Sequence, residues 1–209
     1  MKQRRTLINW ATWALLFLLF SWWHGAFEGP LSEAEINHYV ARYQALHPDR
    51  DAAYLREFLQ RDSGGPVVML NAIKLYDTPL PIKGEPTGSS SEEVLNTYSQ
   101  YVIKYLIRKG SYPLFVGEAL YRSVEHWGIE NAEDWTSGGL IRYRSLRTMM
   151  EMSTNPEFAK FHDYKVSAIE KTMAYPTQAR VQLGGLSSLV FFIFLSLALG
   201  VQLLINRKR

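Results

Sequence analysis

Pro66–Tyr76 reads PVVMLNAIKLY, and this stretch decides the fold. Its β-branched residues favour a strand, and both of its faces are largely apolar. Alternation puts Val67, Met69, Asn71, Ile73 and Leu75 on one face. A strand apolar on both sides needs cover on both sides, so the neighbouring segments are read for what could supply it.

Downstream, Asp77–Ser91 is rich in Pro, Gly and Ser and reads as the longest loop. Ser90 and Glu93 then form a capping box. The helix they open carries Val94, Leu95, Tyr98, Tyr101, Val102, Tyr105 and Leu106 at the strongest helical period in the chain, and it ends at Gly110. Tyr112–Ser123 reads as a second strand, with Leu114, Val116, Glu118 and Leu120 on one face. The turn-rich VEHWGIENAEDWTSG (124–138) connects it to a third strand, Gly139–Arg144, where Ile141 and Tyr143 point together. Ser145 can cap a short helix with Met149 and Met150 inward. Pro156 opens another, with Phe158, Phe161, Ala168 and Ile169 as core candidates. A last strand spans roughly Thr172–Leu183.

Upstream, Ser32 and Glu35 form a second capping box, followed by Ile36, Tyr39, Val40 and Tyr43 on one stripe. His47-Pro48 breaks that helix. Asp51 can cap the next, whose Tyr54, Leu55, Phe58 and Leu59 face one way before Gly64-Gly65-Pro66 ends it. The order is therefore βαββαβ after a helical lead-in, an α+β, ferredoxin-like split-βαβ pattern.

Charge divides the chain of 209 residues further. No Lys, Arg, Asp or Glu occurs from Thr6 to Phe27, nor from Val181 to Asn206. Six basic residues sit at the tips, Lys2, Arg4 and Arg5, then Arg207, Lys208 and Arg209. The other 17, with all 20 acidic residues, lie between Glu28 and Arg180. The basic pI is thus a property of the ends and does not indicate a nucleic-acid-binding face. Leu186–Ile205 is apolar on all sides and long enough to cross a bilayer. Leu7–Trp23 is shorter, with Trp10, Trp13, Trp22 and Trp23 toward its two ends, where aromatic belts meet headgroups. It reads as an uncleaved anchor or as a signal peptide, though His24 is bulky for a cleavage position. Both basic tips favour a cytoplasmic location under the positive-inside rule. The chain is then expected in the bacterial inner membrane, with two spans and a periplasmic main domain. The expected divisions are 1–27, a tip and anchor; 28–65, the helical lead-in; 66–182, the α+β domain; and 183–209, a second span and basic tip. Absence of cysteine excludes disulfides, thiolate metal sites and Cys nucleophiles together.

From Pro66 to about Gln178 the chain resembles the bacterial family called domain of unknown function (DUF) 1330. The likeness lies in PVVMLNAIKLY with Asn71, PLFVGEA with Gly117, EDWTSGGLIRYRS with Trp135, Arg142 and Tyr143, and MMEMSTNPEF with Pro156. The resemblance implies a homodimeric α/β barrel, in which two ferredoxin-like sheets pair across a two-fold axis. Similar barrels serve cofactor-independent monooxygenases and heme-dependent dismutases, so the fold does not imply one reaction. Two departures stand out: Tyr164-Lys165 where the family has His-Arg, and Thr136 after Trp135 where an Asp is usual.

Asn71, Glu118 and Tyr143 are the polar or amphipathic residues that three strands would project. Trp135 and Arg142 come from the segment of clearest likeness. These five are the expected ligand-binding set. Asn71 either orients a ligand or pins a backbone carbonyl. Glu118 is either a buried general base or the partner of Arg142 or Arg144. The five histidines lack any HxH, HxxxH or HExxH spacing, so no metal site is expected. Met149, Met150 and Met152 read as helix core. No GxGxxG, Walker loop or GxSxG occurs, and no cofactor is expected. Two functions fit: a membrane-anchored dimeric barrel that binds a small apolar or aromatic molecule, or a non-enzymatic accessory or assembly subunit docked on a membrane complex.

Overall fold

The strand β1 (Val67–Leu75) lies at the centre of an antiparallel sheet whose order is β2 (Tyr112–Glu118), β3 (Ser137–Tyr143), β1, β4 (Ile169–Thr177). This is the split-βαβ arrangement, in which β3 separates the parallel pair β1 and β2. The computed structural model describes residues 1–181 and 184–207. Within it the chain divides into two units, Glu28–Gln178, and Met1–Phe27 together with Ala179–Arg209.

Register assigns the faces of the sheet. Val67 pairs with Tyr143 and Met69 with Ile141, and all four join the helix-covered core. Asn71 follows on that face opposite Gly139, and Ile73 opposite Ser137. The core side is closed by α4 (Ser91–Arg108), α5 (Leu146–Ser153) and α6 (Pro156–Ala168), which contribute Leu106, Leu146, Met149, Met150, Met152 and Phe158. Tyr98, Tyr101, Val102 and Tyr105 pack against this core half-buried, while Ser91, Val94 and Leu106 are the buried residues of α4. The Ser90–Glu93 capping box is formed, and Asn155 caps the Pro-initiated α6.

The lead-in is part of the same core rather than an appendage. Both its helices, α2 (Glu33–Leu46) and α3 (Ala53–Gln60), bury side chains there: Ile36, Tyr39, Leu55 and Leu59. An ion cluster holds its start. Glu28 accepts from Arg144 and from Arg147 at 2.6 Å each, and Arg147 also donates to Glu35 at 2.6 Å. Glu35 additionally completes the Ser32 capping box. These bonds hold the Glu35 carboxyl down at about 2, with the Arg147 hydrogen bond the largest cause. Gly64 is required where α3 leads back to β1: its φ is +80°, and a Cβ there would stand 3.0 Å from the Glu28 carbonyl oxygen.

Several boundaries differ from the expectation. The second strand stops at Glu118, paired with Ser137 at the start of β3, instead of continuing to Ser123; beyond it isolated backbone bonds join the two limbs, Ala119 to Thr136 and Ser123 to Glu133. The last strand starts at Ile169, directly after α6, since Leu75 pairs with Ile169 across a bulge, and it ends at Thr177. Residues 182 and 183 of the expected strand, and Lys208 and Arg209 of the basic tip, lie outside the described residues. An irregularity between Pro113 and Phe115 takes Leu114 out of the expected alternation, and Leu120 lies beyond the strand. Asp51 sits one residue before the N-cap of α3 and accepts from the Ala53 N–H at 2.8 Å.

In the other unit, α1 (Lys2–His24) and α7 (Leu186–Arg207) form an antiparallel pair. Thr6 meets Gln202, Asn9 donates to the Ala198 carbonyl at 3.0 Å, Trp13 packs on Phe194, Phe17 on Phe191, and His24 meets Ser187. The Asn9 amide also accepts from the Trp13 indole at 3.1 Å, so this buried side chain is satisfied on both sides. Each helix is long and apolar enough to cross a membrane, and almost none of either apolar window is covered.

Leu59 is fully buried, so Leu59→Ala should cost about 2–5 kcal/mol in denaturant unfolding, showing that the lead-in unfolds with the sheet. Glu35 has a depressed pKa, so its contribution is present above about 4.5 and declines as pH falls toward 2. An Arg147→Met variant should show a lower melting temperature at pH 7 and a correspondingly shallower loss between pH 4.5 and 2. Parallel acid limbs in the two proteins would remove the ion cluster from the account of stability.

Candidate functional site

All the helices of the core lie on one face of the sheet, and the opposite face is left open. Register places Val68, Leu70, Ala72 and Lys74 of β1 on it, with Arg142, Leu140 and Gly138 of β3. Thr177, Tyr175, Met173 and Lys171 of β4 flank them on one side. Tyr112, Phe115 and Gly117 of β2 flank them on the other. Val68 is buried, none of these apolar residues belongs to the helix-covered cluster, and Phe115, Met173 and Tyr175 are exposed. Gly117 and Gly138 are cross-strand partners, and the Phe115 ring lies over Gly117, where a Cβ would approach it to 2.6 Å. The result is an apolar floor in which the Phe115 ring takes the space that a side chain at Gly117 would need.

Each end of this floor has a charged group. At one end Arg142 is buried, donates to the Gly110 carbonyl at 3.0 Å and stacks 5.4 Å from the Tyr112 ring centroid. Burial pushes its guanidinium pKa down, and the neighbouring Arg144 adds to that. At the other end Lys74 and Lys171, cross-strand partners, converge on Asp134 at 2.9 and 3.1 Å. Hydrogen bonds from Lys74, then Lys171, hold the Asp134 carboxyl down at about 2. The Lys171 ammonium lies 5.1 Å from the Trp135 ring centroid, and the Trp135 indole donates to the Ala132 carbonyl.

The five expected residues divide between the two faces. Arg142 and Trp135 border the open one. Asn71 and Tyr143 are on the helix-covered one, and the Asn71 amide donates to the Met69 carbonyl at 3.1 Å, so it does pin a carbonyl, one in its own strand. Tyr143 is buried, and burial alone pushes its phenol up to about 12. Glu118 does not match the expected buried carboxylate: it is exposed, at the last position of the edge strand β2. Arg144, one of its expected partners, pairs with Glu28 instead. Lys165, which stands with Tyr164 where the resembling family has His-Arg, is a further polar group outside the expected five. It lies 5.9 Å from the Tyr98 ring centroid, and burial lowers its pKa. A cavity of about 250 Å³ lies elsewhere, between the Ile82–Ser89 segment, the start of α4 and Tyr164, and it touches none of the five. Among the described residues no group of three or more His, Asp or Glu is placed to hold a metal ion.

No family model matches the chain, and no curated protein matches it in sequence. Solved structures do. The RPA0582 protein of unknown function from Rhodopseudomonas palustris matches with a TM-score of 0.53 at 19% identity, over 65% of this chain and 98% of its own. Its methylated form gives 0.54 at 19%, over 66% and 98%. The likeness is one of fold. A dimeric protein of unknown function and ferredoxin-like fold from Bacteroides fragilis is 15% identical over 55% of this chain and 97% of its own. Its TM-score of 0.32 is too low to carry a structural argument.

The Asp134–Lys171–Trp135 contact ties the root of the connection between β2 and β3 to the sheet. Replacing Lys171 with Met removes the bonds to Asp134 and to the Asn131 carbonyl together. Limited proteolysis between residues 119 and 133 should then be several-fold faster, with melting temperature nearly unchanged. An unaltered cleavage rate would show that other contacts position the connection.

Proposed function

We propose that the protein is a membrane-anchored homodimer whose two open sheet faces meet and enclose a chamber for a small apolar or aromatic molecule. The observation that carries this reading is the uncovered apolar floor formed by Leu70, Ala72, Leu140, Phe115, Met173 and Tyr175. A sheet with one covered face exposes apolar area that a second copy, related by a two-fold axis, covers symmetrically. The resemblance of Pro66–Gln178 to the DUF 1330 family supports the same arrangement. In this reading Arg142 and Trp135 lie at the two ends of the chamber, where they orient the ligand. Asn71 and Tyr143 support its wall from the helix side, and Glu118 lies at the rim.

The anchoring part of the proposal rests on α1 and α7. Their antiparallel packing, with contacts from Thr6 to Gln202 and Asn9 to Ala198, supports reading α1 as an anchor beside α7. The basic residues at both ends support a topology with the termini in the cytoplasm and the ferredoxin-like domain in the periplasm. The bilayer supplies apolar molecules at high local concentration, which suits a chamber of this chemistry.

Native mass spectrometry of the detergent-extracted protein should show a homodimer carrying a small ligand. Phe115→Asp with Met173→Asp should shift it to monomer and release the ligand, leaving secondary structure intact. A monomer bound to an unrelated subunit would replace this reading with the accessory-subunit one. A reporter active only outside the cytoplasm should be active when inserted in the loop Asp77–Ser91. Silence there, with activity from a C-terminal fusion, would reverse the topology.

A further inference from the structure

The connection from Ala119 to Thr136 is an arm with an ordered root and an apolar outer part. Ala119 donates to the Thr136 carbonyl at 2.9 Å and Ser123 to the Glu133 carbonyl at 2.7 Å, extending the β2–β3 hairpin beyond the sheet. Lys171 fastens its returning limb through Asn131 and Asp134. Beyond these bonds, Leu120 and Val124 are fully exposed, and Tyr121, Trp127 and Ile129 are exposed as well. Five apolar side chains on one short segment do not find cover in their own domain, and exposed apolar clusters of this kind mark interaction sites.

From this we infer that the arm is an exchange element: in the homodimer, each copy lays its arm across the open sheet face of the other. The inference rests on the homodimer reading above and adds which segment of the partner closes the chamber. Two observations choose a second copy over other occupants. The first is charge. Between Ala119 and Thr136 the arm carries Glu125, Glu130, Glu133 and Asp134 against Arg122 alone, whereas every charged side chain that the strands place on the open face is basic, Lys74, Lys171 and Arg142, and the two lysines already hold Asp134 at the root of their own arm. The same acidic excess disfavours an anionic lipid surface. The second is continuity. The arm grows directly out of edge strand β2, whose Phe115 belongs to the open floor, so covering the floor and covering the arm are parts of one isologous contact. Trp127 is then the aromatic anchor, and the chamber is lined by both copies.

Because the native chain has no cysteine, single cysteines give a clean test. Two differently tagged full-length chains are co-expressed and extracted in detergent, one with Val124→Cys, the other with Ala72→Cys or Met173→Cys. A short bis-maleimide should join arm to face between the two tags far more efficiently than it joins two Val124→Cys chains. Trp127→Ser together with Val124→Ser should weaken dimerisation about tenfold or more, from the apolar area left unburied. Linking between two Ala72→Cys chains without any arm-to-face link would leave the dimer standing and overturn the arm exchange. Absence of every link, with only monomer in native mass spectrometry, would overturn the dimer and the exchange together. A fluorophore on Val124→Cys quenched by brominated lipid in vesicles would assign the arm to the bilayer and also refute the exchange.

Discussion

A four-stranded sheet whose helices all pack on one side is the constraint on which the rest of this molecule depends. Period-2 alternation sends half of each strand to the core and half to the other face. Here the core half, from Val67, Met69, Ile141 and Tyr143, meets Leu106, Leu146, Met150 and Phe158. The other half, from Leu70, Ala72, Leu140, Met173 and Tyr175, is apolar too, yet no helix of the domain packs there. Apolar area of that kind gains by burial, and the fold provides no internal means of burying it. Gly117, the cross-strand partner of Gly138, leaves the space that the Phe115 ring occupies over the strand.

The charged side chains serve chiefly to position segments. Glu28 and Glu35 with Arg144 and Arg147 fasten the start of the lead-in to the turn after β3. Asp134 with Lys74 and Lys171 fastens the root of the arm to the edge of the sheet. Both clusters sit where a long connection meets the α+β framework, and both supply geometry rather than burial energy, since their members retain partial exposure. Lys165 is different: it is half-buried beside Tyr98, and desolvation lowers its pKa. Tyr98 and Tyr143 have raised pKa values for the same reason. The tyrosines of the helix layer thus act as neutral, amphipathic packing groups.

The polar residues of the apolar hairpin follow a similar logic at lower density. Thr6 and Asn9 on α1 meet Gln202 and the Ala198 carbonyl on α7, and His24 meets Ser187 at the other end. Between them the contact is aromatic, with Trp13 on Phe194 and Phe17 on Phe191. Polar contacts at the ends and aromatic contacts in the middle give two otherwise uniform apolar helices one register, which apolar packing alone specifies weakly.

Local chemistry made much of this legible in the residues alone. Capping boxes at Ser32 and Ser90, Pro156 at a helix start, the two-sided apolar strand Val67–Leu75 and the two charge-free segments all act within a few residues, so their elements could be placed without a partner. The methionines of α5 were readable as core for the same reason. What the sequence could not determine was anything depending on register between strands. The irregularity at Pro113–Phe115 changed which side chains of β2 share a face, and the pairing of β3 with β1 decided which of Arg142 and Tyr143, sent to opposite faces by alternation alone, shares the face of Asn71. The expected burial of Glu118 failed because edge position is a property of sheet order, visible only once β3 is seen beside β1. The open face, its basic ends and the exposed arm likewise exist only in three dimensions, because each is assembled from segments far apart in the chain.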